Sequence, residues 1–228
     1  MTAPASLAQR SWAGRAKFMA VLAVLIFLPA WTVDYWQGWA LIANFTLCSA
    51  LSSLYFLKHD PALVERRLSV GPRAEQRSQQ KWIQAATSLL ILALVVVSAL
   101  DHRFGWSVIG WWGVLIGHVL IVLGYVLIFV VFRANSFAAA TVRVVSEQRV
   151  VSSGPYAVMR HPMYGAAIIL FAGVPPALGS AWGLLLVPLL ALALGIRAVD
   201  EERYLVTALA GYADYRARVR WRIVPGLW

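Results

Sequence analysis

A single cysteine, Cys48, stands in the whole chain, so no internal disulfide can form and no cysteine cluster can hold a metal. Charged residues are only 13% of the 228 positions. No phosphate-binding glycine loop is present, no dinucleotide-type G-x-G-x-x-G, and no His/Cys/carboxylate spacing suited to zinc, so a metal site is not expected. No serine lies in a nucleophile elbow, which removes the common hydrolase reading. The four histidines are scattered: His59 in a connection, His102 and His118 in or beside apolar stretches, and His161 in a polar cluster. Internal repeats and low-complexity segments are also missing. The chain therefore reads as one domain over residues 1–228, with four apolar spans in 1–132 and a differently composed region in 133–228.

What is abundant is apolar side chain, at 61% of positions, more than one soluble core could hide. Crossing a bilayer as a helix takes about 20 mostly apolar residues, because each backbone group must find its partner within the segment. Stretches that meet this lie near Lys17–Val33, Gly38–Leu57, Trp82–Leu100 and Ser107–Phe132, followed by a pair near Met163–Leu178 and Ala181–Ile196. The fold class is thus all-α, a polytopic transmembrane bundle of about six membrane-embedded helices whose last two form a hairpin. The first stretch lacks a small-x-small cleavage site and is followed almost at once by another, so it is expected to persist rather than be removed as a signal peptide.

Net charge is +10. With six crossings, 19 of the 20 Lys and Arg fall on one side and only Arg103 on the other. The positive-inside rule makes the basic side cytoplasmic, with both termini there. Basic loops beside a membrane attract anionic headgroups, so the excess points to the bilayer as partner and not to nucleic acid. Oligomeric state is not readable; the Gly110, Gly113, Gly117 spacing suits close helix packing within one chain.

Two connections carry the polar residues. In Lys58–Lys81, Asp60-Pro61 can start a short helix on the membrane surface and Gly71-Pro72 can break it. Arg133–His161 is longer, with a small-residue run Ala138–Ala140, a β-branched stretch Thr141–Val145 and a turn at Ser153-Gly154-Pro155, a composition that suggests a functional segment. Pro175-Pro176 and Gly179 read as the sharp turn of the last hairpin. That hairpin sets Arg160–Tyr164 at its entrance beside Arg197–Glu202 at its exit. The second helix is expected to run on past the bilayer, since Leu205, Val206 and Leu209 extend an amphipathic pattern toward Gly211.

Each cluster has an ordinary explanation by itself: arginine at a helix end, tyrosine in the aromatic belt, charges that hold a helix at the headgroups. Pro162 suits a first helical turn, whose exposed amides attract negative charge. Arg197 and Glu201, four apart, share a helix face and can pair. Two adjacent carboxylates, Glu201 and Glu202, near a low-dielectric region need partners, and ionisable groups held there mark functional sites.

Taken in order, Gly154-Pro155-Tyr156, Arg160-His161-Pro162 and Tyr164, then Glu201-Glu202, Gly211-Tyr212 and Tyr215, and a basic stretch into Pro225-Gly226-Leu227-Trp228 resemble the signature of the membrane-embedded isoprenylcysteine carboxyl methyltransferases and their phospholipid methyltransferase relatives. The resemblance covers roughly Val144 to Trp228. It implies an S-adenosylmethionine site built from C-terminal helices, with a lipophilic substrate entering from the bilayer, and the bacterial inner membrane as location. On this resemblance His161, Pro162 and Tyr164 line the cofactor, and Tyr156 and Arg160 shape the loop over it. Glu201 and Glu202 hold polar groups of the cofactor or orient Arg197. Arg197 and Glu201 are the catalytic candidates, with Arg197 positioning the nucleophile, whether carboxylate, amine or thiol. Where many relatives carry a histidine six residues before the turn glycine, this chain has Gln148. Two other readings share the region: a membrane reductase related to the sterol reductases, whose chains have more spans, and a lipid-binding protein without turnover.

Overall fold

In the computed structural model, which describes residues 5–68, 75, 77–138 and 149–228, eight α-helices form a single bundle. They are α1 (Leu7–Ala30), α2 (Trp36–His59), α3 (Pro61–Leu68), α4 (Ser78–Phe104), α5 (Trp111–Ala134), α6 (Pro162–Ala177), α7 (Val187–Ala208) and α8 (Tyr212–Arg218). Among the described residues there is no β-strand, only one parallel bridge between Met159 and Trp221. Gly71-Pro72, Thr141–Val145 and Gln148 lie outside the described residues.

Five helices are long and apolar enough to cross a membrane, the last being a 3-10 turn at Trp182–Leu186 that runs straight into α7. Their outward faces are apolar: Val24, Leu28, Leu47, Leu54, Val119 and Leu192 are all exposed. A water-soluble bundle does not leave patches of this extent uncovered, so the surface is compatible with an integral membrane protein. The core between the helices is made by Ile26, Leu41, Leu94, Ile121 and Leu178, each almost fully buried.

Helix α1 starts at Leu7, ten residues before the apolar run that predicted it, because Ser6 and Gln9 form a capping box that satisfies the first free amides. Asp60 starts α3 as expected, its carboxylate accepting from the Leu63 amide at 3.0 Å. Helix α5 begins at Trp111 and not at Ser107, whose amide and hydroxyl are both held by the Asp101 carboxylate at the end of α4.

The sixth helix, α6, has 16 residues, about 24 Å of rise, shorter than a bilayer core. It nevertheless runs from one end of the bundle to the other. Its start meets α3 through Met163 and Arg67. Beyond its end, Ser180 donates to Asp101 at 2.5 Å, and the Leu178 carbonyl accepts from the Tyr35 hydroxyl at 2.5 Å. Pro175 and Pro176 belong to the last turn of this helix and do not make the hairpin turn; the reversal occurs at Gly179, in the left-handed region at φ 77°. Proline keeps helical φ and removes only its own amide, so a final turn capped by the Leu178 amide tolerates both.

Helix α6 packs into α5 at backbone distance. A Cβ built on Gly124 would lie 2.5 Å from that of Leu170, and one on Gly173 would lie 2.5 Å from the Gly117 carbonyl oxygen. Of the three glycines read as a packing stripe only Gly117 serves it: Gly110 faces open space and Gly113 meets its own neighbour Ile109. Elsewhere in the bundle, His118 bonds the neighbouring α2, its Nδ1 lying 3.1 Å from Asn44 Nδ2, and the Cys48 thiol donates to Asn44 Oδ1.

The chain end returns to the start of α6. The Arg160 and His161 amides donate to the Trp221 and Arg222 carbonyls at 2.9 and 2.8 Å. Trp228 then closes over Gly195 of α7, where a Cβ would stand 3.3 Å from the indole.

Candidate active site

The entrance of α6, the end of α7 and the tail enclose one open cavity of about 120 Å³. Its floor is the segment after α5, where Asn135 turns the chain by accepting from the Phe137 amide at 2.9 Å. Helix α3 fixes that segment: Arg66 donates to the Ser136 carbonyl at 2.6 Å, and Arg67 to that of Ala138 at 3.2 Å. Burial lowers the Arg67 guanidinium to about 10. The wall opposite is apolar and aromatic, built by Leu205, Leu209, Tyr212 and Tyr215 with Val150 and Tyr156.

Tyr156, in a 3-10 turn at Gly154–Ala157, lines the cavity; its hydroxyl accepts from Asn135 at 3.1 Å and its carbonyl accepts from the Tyr215 hydroxyl at 2.8 Å. Burial, with the Glu201 charge adding to it, pushes the Tyr156 phenol up to about 12, and burial pushes Tyr212 and Tyr215 up as well. All three hydroxyls keep their protons at neutral pH.

The two glutamates have different surroundings. Glu202 is 2% exposed and does not line the cavity. Its Oε1 accepts from Arg160 Nε at 2.7 Å and from His161 Nε2 at 3.2 Å, and its Oε2 from Arg222 Nε at 3.1 Å. A carboxylate can only accept, so His161 carries its proton on Nε2. Arg160 also donates to the Val219 and Arg220 carbonyls at 2.6 and 2.9 Å. Buried charges persist only when each lone pair and proton is taken up; Glu202 meets that condition and ties α7, the entrance of α6 and the tail into one unit.

Glu201, one residue earlier on α7, lines the cavity with its side chain 22% exposed. Its Oε2 accepts from the Tyr164 hydroxyl at 2.6 Å and lies 3.8 Å from His161 Nδ1, while Oε1 has no hydrogen bond among the described residues. The His161 and Tyr164 rings lie parallel, 5.3 Å apart. The Tyr164 hydroxyl also accepts from Arg197 Nε at 3.0 Å, so it stands between Arg197 and Glu201, and Arg197 donates in turn to Glu75 at 2.7 Å. Pro162 is the first residue of α6 and lines the cavity, as do Arg160, His161, Tyr164 and Arg197.

The eight residues singled out in the sequence thus meet at one place. Seven line the cavity and Glu202 stands behind them. Sequence reasoning missed Glu75, because the connection that carries it shows no pattern pointing toward α7. Arg222 and Asn135 were missed as well; a basic tail and a helix-ending asparagine are too common to mark a site. Among the described residues no group of His, Cys, Asp or Glu is arranged to hold a metal ion.

No curated protein matches the chain. The match to a protein family begins in α5, earlier than the Val144 where the motif resemblance starts, and stops one residue short of Gly211. Over residues 112–210, from α5 through the whole of α7 and including all eight of these residues, the chain matches the family model described as Phospholipid methyltransferase.

Proposed function

We propose that this protein transfers a methyl group from S-adenosylmethionine to a lipophilic substrate at the cytoplasmic membrane face. The observation that supports it most is Glu201: a partly exposed carboxylate at the meeting of α6 and α7, held on one oxygen by Tyr164 and open on the other, in a cavity with apolar walls.

The residues fit the cofactor. An open carboxylate oxygen suits an ammonium or a ribose hydroxyl, protonated phenols suit oxygen acceptors, and Leu205 and Leu209 suit a flat base. When bound, the cofactor supplies an electrophilic methyl on a sulfonium whose positive charge vanishes on transfer. Little proton chemistry is then asked of the chain; alignment and exclusion of water matter most. In this reading Glu201 holds the cofactor's polar groups, while His161, Pro162, Tyr164 and Tyr156 form its bed. Arg160 and Glu202 keep that bed rigid. Arg197, fixed by Glu75 and the Tyr164 hydroxyl, positions the substrate nucleophile, a carboxylate, amine or thiol of a lipid entering between the helices.

The charge distribution supports a facing toward the cytoplasm. Among the described residues 17 of the 18 Lys and Arg belong to the end that holds the cavity, and the rule that basic loops stay inside supports that end lying where the soluble cofactor is. Mass spectrometry of total lipid and small-molecule extract, after incubation with labelled methyl donor and purified protein, tests the proposal. A labelled lipophilic product absent with Glu201→Ala is expected; a broad extract screen with no labelled product from folded protein would contradict it.

A further inference from the structure

Tyr212 opens α8 immediately after Gly211, a left-handed residue at φ 79° that turns the chain back over the cavity. The side chain is 5% exposed, packs with Leu205, Leu209 and Tyr215, and lines the cavity. Its hydroxyl is buried and has no hydrogen-bond partner among the described residues. The other tyrosines around the cavity differ: the hydroxyls of Tyr156, Tyr164 and Tyr215 are all bonded. A buried hydroxyl left unpaired weakens folding, and native chains keep few of them, mostly for a reason outside packing.

The surroundings indicate what the hydroxyl would meet. Glu201 and Glu202 both act on it through their charge and, with burial, hold its proton in place, so it is a donor. Neither carboxylate accepts from it, and nothing else described does. A donor without an acceptor, in the wall of a cavity whose open acceptor is Glu201, forms half of a complementary pair.

We propose that the Tyr212 hydroxyl is a contact to the bound cofactor, donating to one of its oxygens. This rests on the cavity being the S-adenosylmethionine site. Two kinds of oxygen qualify as acceptors, the ribose hydroxyls and the amino-acid carboxylate. Tyr212→Phe removes the hydroxyl and nothing else. Titration calorimetry in detergent is performed with S-adenosylhomocysteine and with methylthioadenosine, which keeps the ribose and lacks the carboxylate, alongside thermal unfolding of the unliganded proteins.

The expected result is about five- to twentyfold weaker binding of S-adenosylhomocysteine by Tyr212→Phe, with unliganded unfolding unchanged or shifted to higher temperature. Weakening of both ligands assigns the ribose; weakening of S-adenosylhomocysteine alone assigns the carboxylate. Equal affinity of variant and parent overturns the proposal. So does a clear loss of unliganded stability, which would mean that the hydroxyl already has a partner within the protein. A parent that binds neither compound removes the cofactor reading and this inference together, whereas a parent that binds both as tightly as Tyr212→Phe removes the inference alone.

Discussion

Glu201 and Glu202 are chemically identical neighbours, and the fold gives them opposite work. Successive residues on a helix point about 100° apart, so one faces the cavity and the other the Arg160, His161 and Arg222 side chains. Removing the charge of Glu202 leaves the buried Arg160 guanidinium and the half-buried one of Arg222 without their counterion. Glu202→Gln is therefore expected to destabilise the protein by about 3–5 kcal/mol, read by thermal unfolding in detergent. Glu201→Gln keeps an acceptor for Tyr164 and is expected to unfold close to the parent while binding S-adenosylhomocysteine at least tenfold more weakly. Equal stability losses in the two variants would contradict this division. Which residues gather was legible in the sequence: the order Arg160-His161-Pro162, Tyr164, Arg197, Glu201-Glu202 marked them. Which glutamate faces inward was not, because that depends on the rotation of α7 against α6 and on a tail that returns across both.

At the scale of elements, the apolar runs predicted where helices lie, and their ends moved for local reasons. Ser6 and Gln9 lengthen α1, and Asp101 delays α5 by holding Ser107. The Pro175-Pro176 pair looked like a turn since proline most often ends helices, yet here both fit the closing turn of α6. The short α6 is held to α5 by contact of glycine backbones, which a sequence pattern cannot assign to a partner helix. Gly173→Val would drive its side chain into the Gly117 carbonyl and Leu120. It is expected to cost about 1–3 kcal/mol and to loosen the entrance of the cavity. Gly14→Ala, facing open space on α1, is expected to leave stability unchanged or raise it by about 0.5–1 kcal/mol. Thermal unfolding of the two variants side by side tests both; a tolerated Gly173→Val would show that α6 can stand off from α5.

For the whole molecule, the proposed orientation rests on the division of charge between the two ends of the bundle. Val108 is 90% exposed at the end opposite the cavity, while Arg218 is exposed on α8 at the cavity end. In a Cys48→Ser background, an impermeant maleimide added to intact cells should label Val108→Cys and should label Arg218→Cys only after permeabilisation. The reverse pattern would place the cavity outside the cell, away from a soluble methyl donor. Hydropathy made the placement of the apolar helices readable from the sequence, whereas enclosure of the cavity by the α3 arginines, the segment after α5 and the returning tail arises only in three dimensions.

On the proposed function, the entrance of α6 and the end of α7 form one cofactor pocket. Hydrogen–deuterium exchange of the purified protein, with and without S-adenosylhomocysteine, tests it most directly. Slowed exchange confined to residues 149–164 and 197–215 is the predicted result. No change in those segments, or protection centred on the Asp101–Ser180 end, would contradict it.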